Sequence, residues 1–486
     1  MILLTLILIP LIGAVFIIIS SAKEKEIALI TSSIVLLLGV GLWIFSLPLE
    51  GSYFIIENWS SLIKLGIDGT SLLFILLTTF TIIIAKLAGW NSINTRIKMY
   101  YATLCVLESI LIGIFLATDL LLFYICFESS LIPMYFLIGI YGGRERKIHA
   151  AYLFFLMTLA GSLLMLFAFI YIASSIGSMN YIILSTSENS FILPNNLNDI
   201  ILSNTHKLLW LALFIAFAVK TPIIPFHIWL PEAHTEANVS GSIILAGILL
   251  KLSSYGFIRF SLGLLPMASY YYTPLIYGLS VISIIYSSIA TLRQTDLKKI
   301  IAYSSIGHMS VVNIGIFSNN TIAMDGAFAL IVAHGIVSPA LFILVSILYE
   351  KYHTRIIKYY RGLVINMPIF SLFFFLFTLA NISVPLTGNF IGELLIFSGS
   401  FSTNSILTIF AASAIILSAG YSIWLYNRII YGKYTKYINL NFKDHSDLSR
   451  IQFNSLISLF LLIIILGLIP NIIFDMYKFS IYTICS

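Results

Sequence analysis

Long apolar runs follow one another along this chain, and each is close to the length that a helix needs to cross a bilayer. About 20 apolar residues span the hydrocarbon core as an α-helix. We identify fourteen such runs and predict fourteen transmembrane helices, numbered here as spans one to fourteen. The predicted spans are 2–20, 27–47, 68–89, 99–117, 119–140, 150–173, 208–229, 239–263, 271–292, 299–318, 322–350, 367–398, 404–430 and 452–475.

The composition indicates a protein that lies almost wholly in the membrane. Of 486 residues, 59% are hydrophobic and only 9% are charged, which excludes an ordinary soluble domain. The alternating pattern of a transmembrane barrel is missing. The longest polar connections, 48–67, 174–206 and 431–451, are too short to hold a soluble domain. We therefore predict an all-α polytopic membrane protein that forms one domain over residues 1–486.

The basic residues fall mostly on one side of this predicted topology. Twenty of the 26 lysines and arginines lie in odd-numbered loops or at the adjoining helix ends, and Lys86 is counted among them. Arg259 is counted on the even-numbered side. By the positive-inside rule, the odd-numbered loops face the cytoplasm or matrix, and both termini face the opposite side. The first run lacks the basic segment of a signal peptide, so we interpret it as a retained span.

Two predicted spans carry helix-breaking residues near their middle. Span seven contains Lys220-Thr-Pro-Ile-Ile-Pro225, and span twelve contains a proline and two glycines between Asn381 and Glu393. Proline removes a helix hydrogen bond and clashes with the preceding turn. A matching pair of broken helices is typical of inverted repeats. We predict two inverted five-helix repeats, spans four to eight (99–263) and nine to thirteen (271–430), flanked by helices in 1–98 and 431–486.

Two charged residues in the first predicted repeat form the first candidate pair. Glu128 lies in the middle of span five, and Lys220 lies at the break of span seven. A charge at this depth costs about 3 kcal/mol on insertion scales and is functional by default. An ion pair would hold both charges, and separating the partners would favour release of the lysine proton. The alternative is that Glu128 is a neutral packing residue.

Four further ionisable residues are candidates for a proton relay through the apolar spans. Lys251 lies midway along span eight, and Glu393 follows the break of span twelve. His308 and His334 lie in otherwise apolar stretches of spans ten and eleven, and imidazole titrates in the useful range. The alternatives are a snorkelling lysine, a carboxylate that stabilises the positive end of a half-helix, and structural histidines.

Other ionisable residues receive plainer interpretations. His227 and His234, in PFHIWLPEAHTEA, are predicted to lie in a loop, where loop polarity explains them better than a metal site does. Glu108 in span four is a candidate to modulate the Glu128 pair. Asp119 is predicted to lie solvated at the end of a span.

No cofactor site is expected in this chain. The three cysteines do not have the spacing of an iron–sulfur or zinc site. No glycine-rich dinucleotide motif follows a strand, and no P-loop is present, so neither NADH nor ATP is expected to bind. Nothing in the sequence indicates nucleic-acid binding. The driving energy is therefore expected to come from partner proteins or an ion gradient.

Several stretches resemble one known family. They are FYICFESSLIPMYFLIGIYGGRERK, AFAVKTPIIPFHIWLPEAHTEANVSGSIILAGILLKLSSYGFIR, DLKKIIAYSSIGHMS, VAHGIVSPALF and GNFIGELLIF. They resemble the antiporter-like proton-translocating subunits of respiratory complex I, which are related to Mrp-type sodium/proton antiporter subunits. The resemblance covers roughly residues 100–430. The segment around PFHIWLPEAHTEA is the most specific, although Asn238 stands where proline is common.

The resemblance implies a role for each candidate residue. The proton relay of the family would be formed here by Glu128, Lys220, Lys251, His308, His334 and Glu393. A glutamate at the helix-twelve position is found in one subunit type of the family, whereas its sister subunits carry lysine.

The resemblance also implies where the chain works and with what. The expected location is the mitochondrial inner membrane, with the odd-numbered loops in the matrix and both termini on the intermembrane-space side. The expected partners are membrane lipids and other membrane-arm subunits, including sister antiporter-like subunits. NADH, FMN, iron–sulfur clusters and ubiquinone are expected in partner subunits and not in this chain.

Two other functions are compatible with the same residues. A Mrp-type cation/proton antiporter subunit would use the same acids and lysines, although extra acidic ligands for sodium are missing from the sequence. A scaffold subunit that pumps nothing would keep them for structure alone. A quinone-site subunit is disfavoured, because no polar cluster near a membrane surface stands out.

Overall fold

The computed structural model describes residues 2–20, 23–46, 55–58, 64–186, 204–433 and 447–477, and most of them are helical. The elements before residue 237 are α1 (Ile2–Ile19), α2 (Glu24–Ser46), β1 (Ile55–Asn58), β2 (Lys64–Ile67), α3 (Gly69–Ala88), α4 (Ile97–Leu116), α5 (Leu120–Ser129), α6 (Leu131–Gly139), α7 (Lys147–Ile176), α8 (Tyr181–Thr186), α9 (Asn204–Lys220) and α10 (Trp229–Glu236). The later helices are α11 (Val239–Ile244), α12 (Leu250–Gly256), α13 (Pro266–Arg293), α14 (Leu297–Ile316), α15 (Thr321–Tyr352), α16 (Pro368–Asn381), α17 (Gly388–Thr403), α18 (Ser405–Ile430) and α19 (Arg450–Leu468). Short 3-10 turns cover Ile357–Tyr359 and Leu363–Ile365, and a last helical segment covers 471–477.

The helices account for every predicted span. Among the described residues, eleven helices are long and apolar enough to cross a membrane. Span twelve is divided between α16 and α17 at its predicted break, and α9 ends at the predicted break of span seven. After that break, α10 carries span seven past its predicted end at residue 229 to Glu236. Span ten corresponds to α14, which is long enough to cross a membrane but is less apolar than the eleven candidate helices. The polytopic helical fold is thus confirmed, whereas the inverted relation of the two repeats stays a prediction.

The all-α prediction needs one addition. Strands β1 and β2 form a two-stranded antiparallel hairpin, in which Ile55 faces Ile67. The hairpin lies in the polar connection predicted over 48–67. The Glu57 carboxylate accepts a hydrogen bond from the Leu3 backbone N–H at 3.1 Å and so ties the hairpin to the start of α1. The polar connections predicted over 174–206 and 431–451, and Cys485, fall partly or wholly outside the described residues.

Two long helices form the buried centre of the molecule. An 18-residue stretch of α15 is entirely buried, and so is one of the continuous helix Val239–Leu262. By contrast, less than a third of the corresponding stretch of α2, α18 or α19 is buried. The peripheral helices turn apolar side chains outward, as lipid-facing or partner-facing helices do. The central helices therefore hold polar groups away from the surrounding phase.

The central helix Val239–Leu262 contains two π-helical turns, Leu245–Leu249 and Phe257–Leu262, which join and extend α11 and α12. A π turn replaces the usual helical hydrogen bonds locally and often marks a functional site. Here the two turns flank the segment that carries Lys251. They free backbone carbonyl groups inside the membrane, which then need another donor.

A row of small residues brings α15 and α17 into close contact. A Cβ atom at Gly392 would lie 2.7 Å from the backbone nitrogen of Leu330, and one at Gly399 would lie 2.5 Å from that of Ala323. Gly326 faces the same row from α15, close to the Gly392 carbonyl. We call this contact the glycine seam. Small residues allow helix backbones to approach closely inside membranes. The seam fixes the depth and rotation of Glu393, the residue that follows Gly392.

Candidate functional site

Lys251 and His334 form the first contact of a buried polar cluster. The Lys251 Nζ lies 2.7 Å from His334 Nδ1, and it donates a hydrogen bond to the Ala246 carbonyl at 2.5 Å. Ala246 belongs to the first π turn, so the lysine satisfies a carbonyl in that turn. Both side chains are buried. Two cationic groups could not form this hydrogen bond, so at most one member of the pair is charged at a time.

His308 and Glu393 form the second contact. The His308 Nδ1 lies 3.0 Å from Glu393 Oε1, and the two side chains are only 6% and 7% exposed. The rings of His308 and His334 have centroids 5.6 Å apart. His308 therefore lies between the lysine–histidine pair and the carboxylate.

Four of the six predicted relay residues thus lie in one line. Helix α12 supplies Lys251, α15 supplies His334, α14 supplies His308 and α17 supplies Glu393. Glu393 lies in the second turn of α17, as predicted, where the positive end of the half-helix favours a carboxylate. A chain of alternating donors and acceptors inside an apolar bundle can pass a proton from one group to the next. We call these four residues the central line.

The predicted contact pair between Glu128 and Lys220 is not formed. Lys220 ends α9, as predicted, but its Nζ makes no hydrogen bond in the described part of the chain and lies over the Phe127 ring, 4.2 Å from the centroid. Successive helical residues point about 100° apart, so α5 presents Phe127 to the lysine and turns Glu128 aside. The glutamate is half-buried. The two charges still act on each other over a longer distance.

His234 was missed as a candidate. It lies in α10, the second half of span seven, and not in a loop. It is entirely buried, and its ring stacks on Phe342 with centroids 4.5 Å apart. Neither ring nitrogen has a hydrogen-bond partner among the described residues, and charges on Lys251 and Lys298 act on it. The sequence signal was available: a broken helix continues after its break, and His234 lies in that continuation.

Unlike His234, His227 lies outside a helix, in agreement with its interpretation as a loop residue. It is 8% exposed and lies before α10, with its ring 5.5 Å from that of Tyr286. Across the residues that the structure describes, no three histidine, cysteine or acidic side chains form a group that could hold a metal ion.

Two buried ion pairs were also missed. Lys86 contacts Glu108 at 2.8 Å, and both side chains are fully buried. Lys86 was counted as an orientation residue, and Glu108 was a candidate to modulate the Glu128 pair; the contact between the two was not predicted. Arg259 contacts Asp68 at 2.8 Å, also in a buried position. Each pair joins residues of different elements, so no sequence spacing could reveal it.

Asp119 also differs from its prediction. It precedes α5, at the end of a span as predicted, but it is only 4% exposed. Burial raises the pKa of its carboxyl group, and the Lys64 charge partly opposes that rise. The residue is therefore not a solvated loop carboxylate.

Comparison with known proteins identifies relatives over nearly the whole length. Residues 117–418 match the family described as NADH:quinone oxidoreductase/Mrp antiporter, transmembrane. The chain is 45% identical over 482 residues to NADH-ubiquinone oxidoreductase chain 4 of Mycosarcoma maydis, covering 97% of this chain and 96% of the relative. It is 48% identical over 483 residues to the protein of the same name from Chondrus crispus, covering 97% and 95%.

Solved structures share the fold. A chain of respiratory complex I from Thermus thermophilus, determined with bound NADH, superposes with a TM-score of 0.86 at 25% identity and covers 100% of this chain and 99% of its own. A chain of an archaeal membrane-bound sulfane sulfur reductase superposes with a TM-score of 0.83 at 22% identity, covering 95% and 75%. The second likeness concerns the fold alone.

Proposed function

We infer that the chain, which belongs to the NADH:quinone oxidoreductase/Mrp antiporter transmembrane family, is a proton-translocating membrane-arm subunit of NADH:ubiquinone oxidoreductase. The observation that carries the mechanism is the central line, in which a lysine, two histidines and a glutamate follow one another through the buried middle of the bundle. A scaffold has no need for four titratable groups that lie next to one another in space at that depth, where burying each one is costly.

The central line passes protons by exchange between neighbours. A proton on Lys251 moves to His334 across their 2.7 Å contact. Transfer to His308 takes a ring rotation or one bridging water, because the two ring centroids are 5.6 Å apart. His308 then donates to Glu393 across 3.0 Å. Glu393 is the proposed last group before release on the far side.

Lys220 is the proposed control point for the line. It lies at the end of α9, which packs on α12 where Phe217 meets Gly256. Its amine has no hydrogen-bond partner among the described residues, so burial and the surrounding charges decide whether it holds a proton. A neighbouring subunit that changes the charge near Glu128 would change the proton affinity of Lys220.

The redox chemistry belongs to partner subunits in this proposal. NADH, FMN, iron–sulfur clusters and ubiquinone would act there, together with sister antiporter-like subunits that flank this chain. The location would be the mitochondrial inner membrane. The face that carries Arg144, Lys299 and Arg355, which we call the basic face, would be the matrix side by the positive-inside rule.

Replacing Glu393 with glutamine tests the central line directly. The substitution keeps the shape and removes the exchangeable proton, so we expect the number of protons pumped per NADH oxidised to fall while the complex still assembles. The measurement is proton uptake in sealed vesicles during NADH oxidation. Glu26→Gln, an exposed position in the first turn of α2, is the matched control. An unchanged ratio in Glu393→Gln would favour the scaffold function.

Glu128 and Lys220 are expected to contribute unequally. Lys220→Ala removes the titratable group that is proposed to control the central line, so oxidation and pumping should fall together. Glu128→Gln removes only a distant charge; an interaction of about 1 kcal/mol corresponds to roughly a fivefold effect. Both are measured as coupled NADH oxidation and pumping in assembled complex. Equal, complete losses would mean that a contact ion pair forms in the working enzyme.

A further inference from the structure

A charged cleft opens on the basic face, separate from the central line. Its volume is about 650 Å³, and it lies between the loop before α7, the helix α10 and the start of α14. Its wall includes Arg144, Glu232, Glu236, Asp296 and Lys299. Lys299 and Glu232 form an ion pair of 2.6 Å that joins α14 to α10, and both are about one-third exposed.

Glu236 is the unusual residue of this cleft. It lines the cavity but is only 3% exposed, and its Oε2 has no hydrogen-bond partner among the described residues. The backbone around it is fixed, because its carbonyl accepts a hydrogen bond from the Gly143 N–H at 3.3 Å. A buried carboxylate oxygen without a hydrogen-bond partner is costly unless something binds it. A proton arriving from the cleft is the simplest ligand for such an oxygen.

Further polar groups lead inward from Glu236. Lys298 is buried, and its Nζ donates to the Ala237 carbonyl at 2.7 Å and lies 3.4 Å from Ser242 Oγ. Burial and the charges of Arg355, Asp296 and Glu236 all act on the protonation of this lysine. Ser242 in turn donates to the His234 carbonyl at 3.3 Å.

His234 connects this group to the central line. Its two ring nitrogens have no hydrogen-bond partner in the described part of the chain, and its ring is held in place by stacking on Phe342. The charges of Lys298 on one side and Lys251 on the other both act on it. Because no hydrogen bond among the described residues joins the His234 ring to either lysine, a proton needs a bridging water or a ring rotation to pass between the ring and each of them. Lys220 is not among these groups.

We propose that the cleft is a proton-uptake site on the basic face and that Glu236 is its first acceptor, which refills Lys251 through Lys298 and His234 without passing through Lys220. Each step moves one proton onto a lone pair: Lys298 gives a proton to one ring nitrogen of His234 while the other ring nitrogen gives its proton to Lys251, and Lys298 is then refilled from Glu236. Glu236 then takes a proton from water in the cleft. The proposal rests on the function proposed above and adds a supply route to it.

Glu236→Gln in fully assembled complex tests the proposal. We expect proton pumping per NADH oxidised to fall, and the loss to grow as the pH on the basic face rises from 6 to 8, because a collecting carboxylate matters most when protons are scarce. Loss of a proton-transfer group typically costs about a hundredfold or more in the step it serves. Glu236→Asp should restore pumping, and Glu26→Gln should leave the pH profile unchanged.

A second measurement locates the opening of the cleft. Glu236→Cys is treated with a charged, membrane-impermeant thiol reagent in vesicles of either orientation. We expect labelling of position 236 only when the reagent is on the basic face. Normal pumping of Glu236→Gln at every pH, while Glu393→Gln fails to pump, would overturn the uptake site and leave the central line intact. Normal pumping in both variants would overturn the proposed function itself.

Discussion

Lys251→Met is expected to abolish proton translocation through this subunit. Methionine has a similar length and fills the same volume, but it carries no proton and leaves His334 Nδ1 and the Ala246 carbonyl without their donor. Loss of one proton-transfer group typically costs about a hundredfold to ten-thousandfold in the step it serves. We therefore expect fewer protons to be pumped per NADH oxidised, and the decrease should equal the number that this subunit contributes. The measurement uses assembled complex in sealed vesicles.

Lys358→Met provides the matched control, because it makes the same change at an exposed position on the basic face. It should pump like the unmodified protein. If Lys251→Met assembled in normal amount and pumped with an unchanged proton-to-electron ratio, the central line would not carry protons. The line would then need a structural explanation.

Lys86→Met is expected to lower the stability of the N-terminal helices strongly. The lysine contacts Glu108 at 2.8 Å, lies 3.4 Å from Cys105 Sγ and donates to the Ala28 carbonyl at 3.0 Å, so it joins α2, α3 and α4. Removing one partner leaves a buried, uncompensated carboxylate, which costs about 3–5 kcal/mol. The amount of assembled complex and its thermal inactivation midpoint should both fall.

The double variant Lys86→Met with Glu108→Leu identifies the cause. Replacing both members of a buried ion pair with apolar residues of similar volume is often neutral or stabilising. The double variant should therefore recover most of the stability that Lys86→Met loses, with unchanged pumping. A double variant as unstable as the single one would mean that packing at Lys86, and not the ion pair, holds the three helices together.

The number and order of the helices could be predicted from the sequence because a bilayer imposes a separate demand on each span. Each helix must bury about 20 residues in apolar surroundings and satisfy its own backbone. The breaks after Lys220 and before Gly388 followed from the restrictions of proline and glycine. The same cost argument found Lys251, His308, His334 and Glu393, since a charged or polar group at that depth needs a reason to be there.

Which groups touch each other could not be predicted, because contacts between helices depend on rotation about each axis. Glu128 and Phe127 are neighbours in sequence, yet the ring and not the carboxylate faces Lys220. The Lys86–Glu108 pair joins two helices whose relative rotation has no local signal. His234 was misplaced for a different reason, since span seven was predicted to end at residue 229, whereas the helix after the break continues to Glu236.

The glycine seam between α15 and α17 has an electrical consequence. Gly392 and Gly399 lie against the backbone of α15 so closely that neither a water molecule nor a lipid tail fits between the helices there. Moving one elementary charge across a membrane potential is worth about 2.3 kcal/mol per 100 mV. A water-filled gap beside Glu393 would let protons flow back down that potential, and the stored energy would be lost as heat. The close contact at the glycine seam therefore blocks the return of protons beside Glu393. A bulky residue in the seam should let protons leak across the membrane before it unfolds the protein.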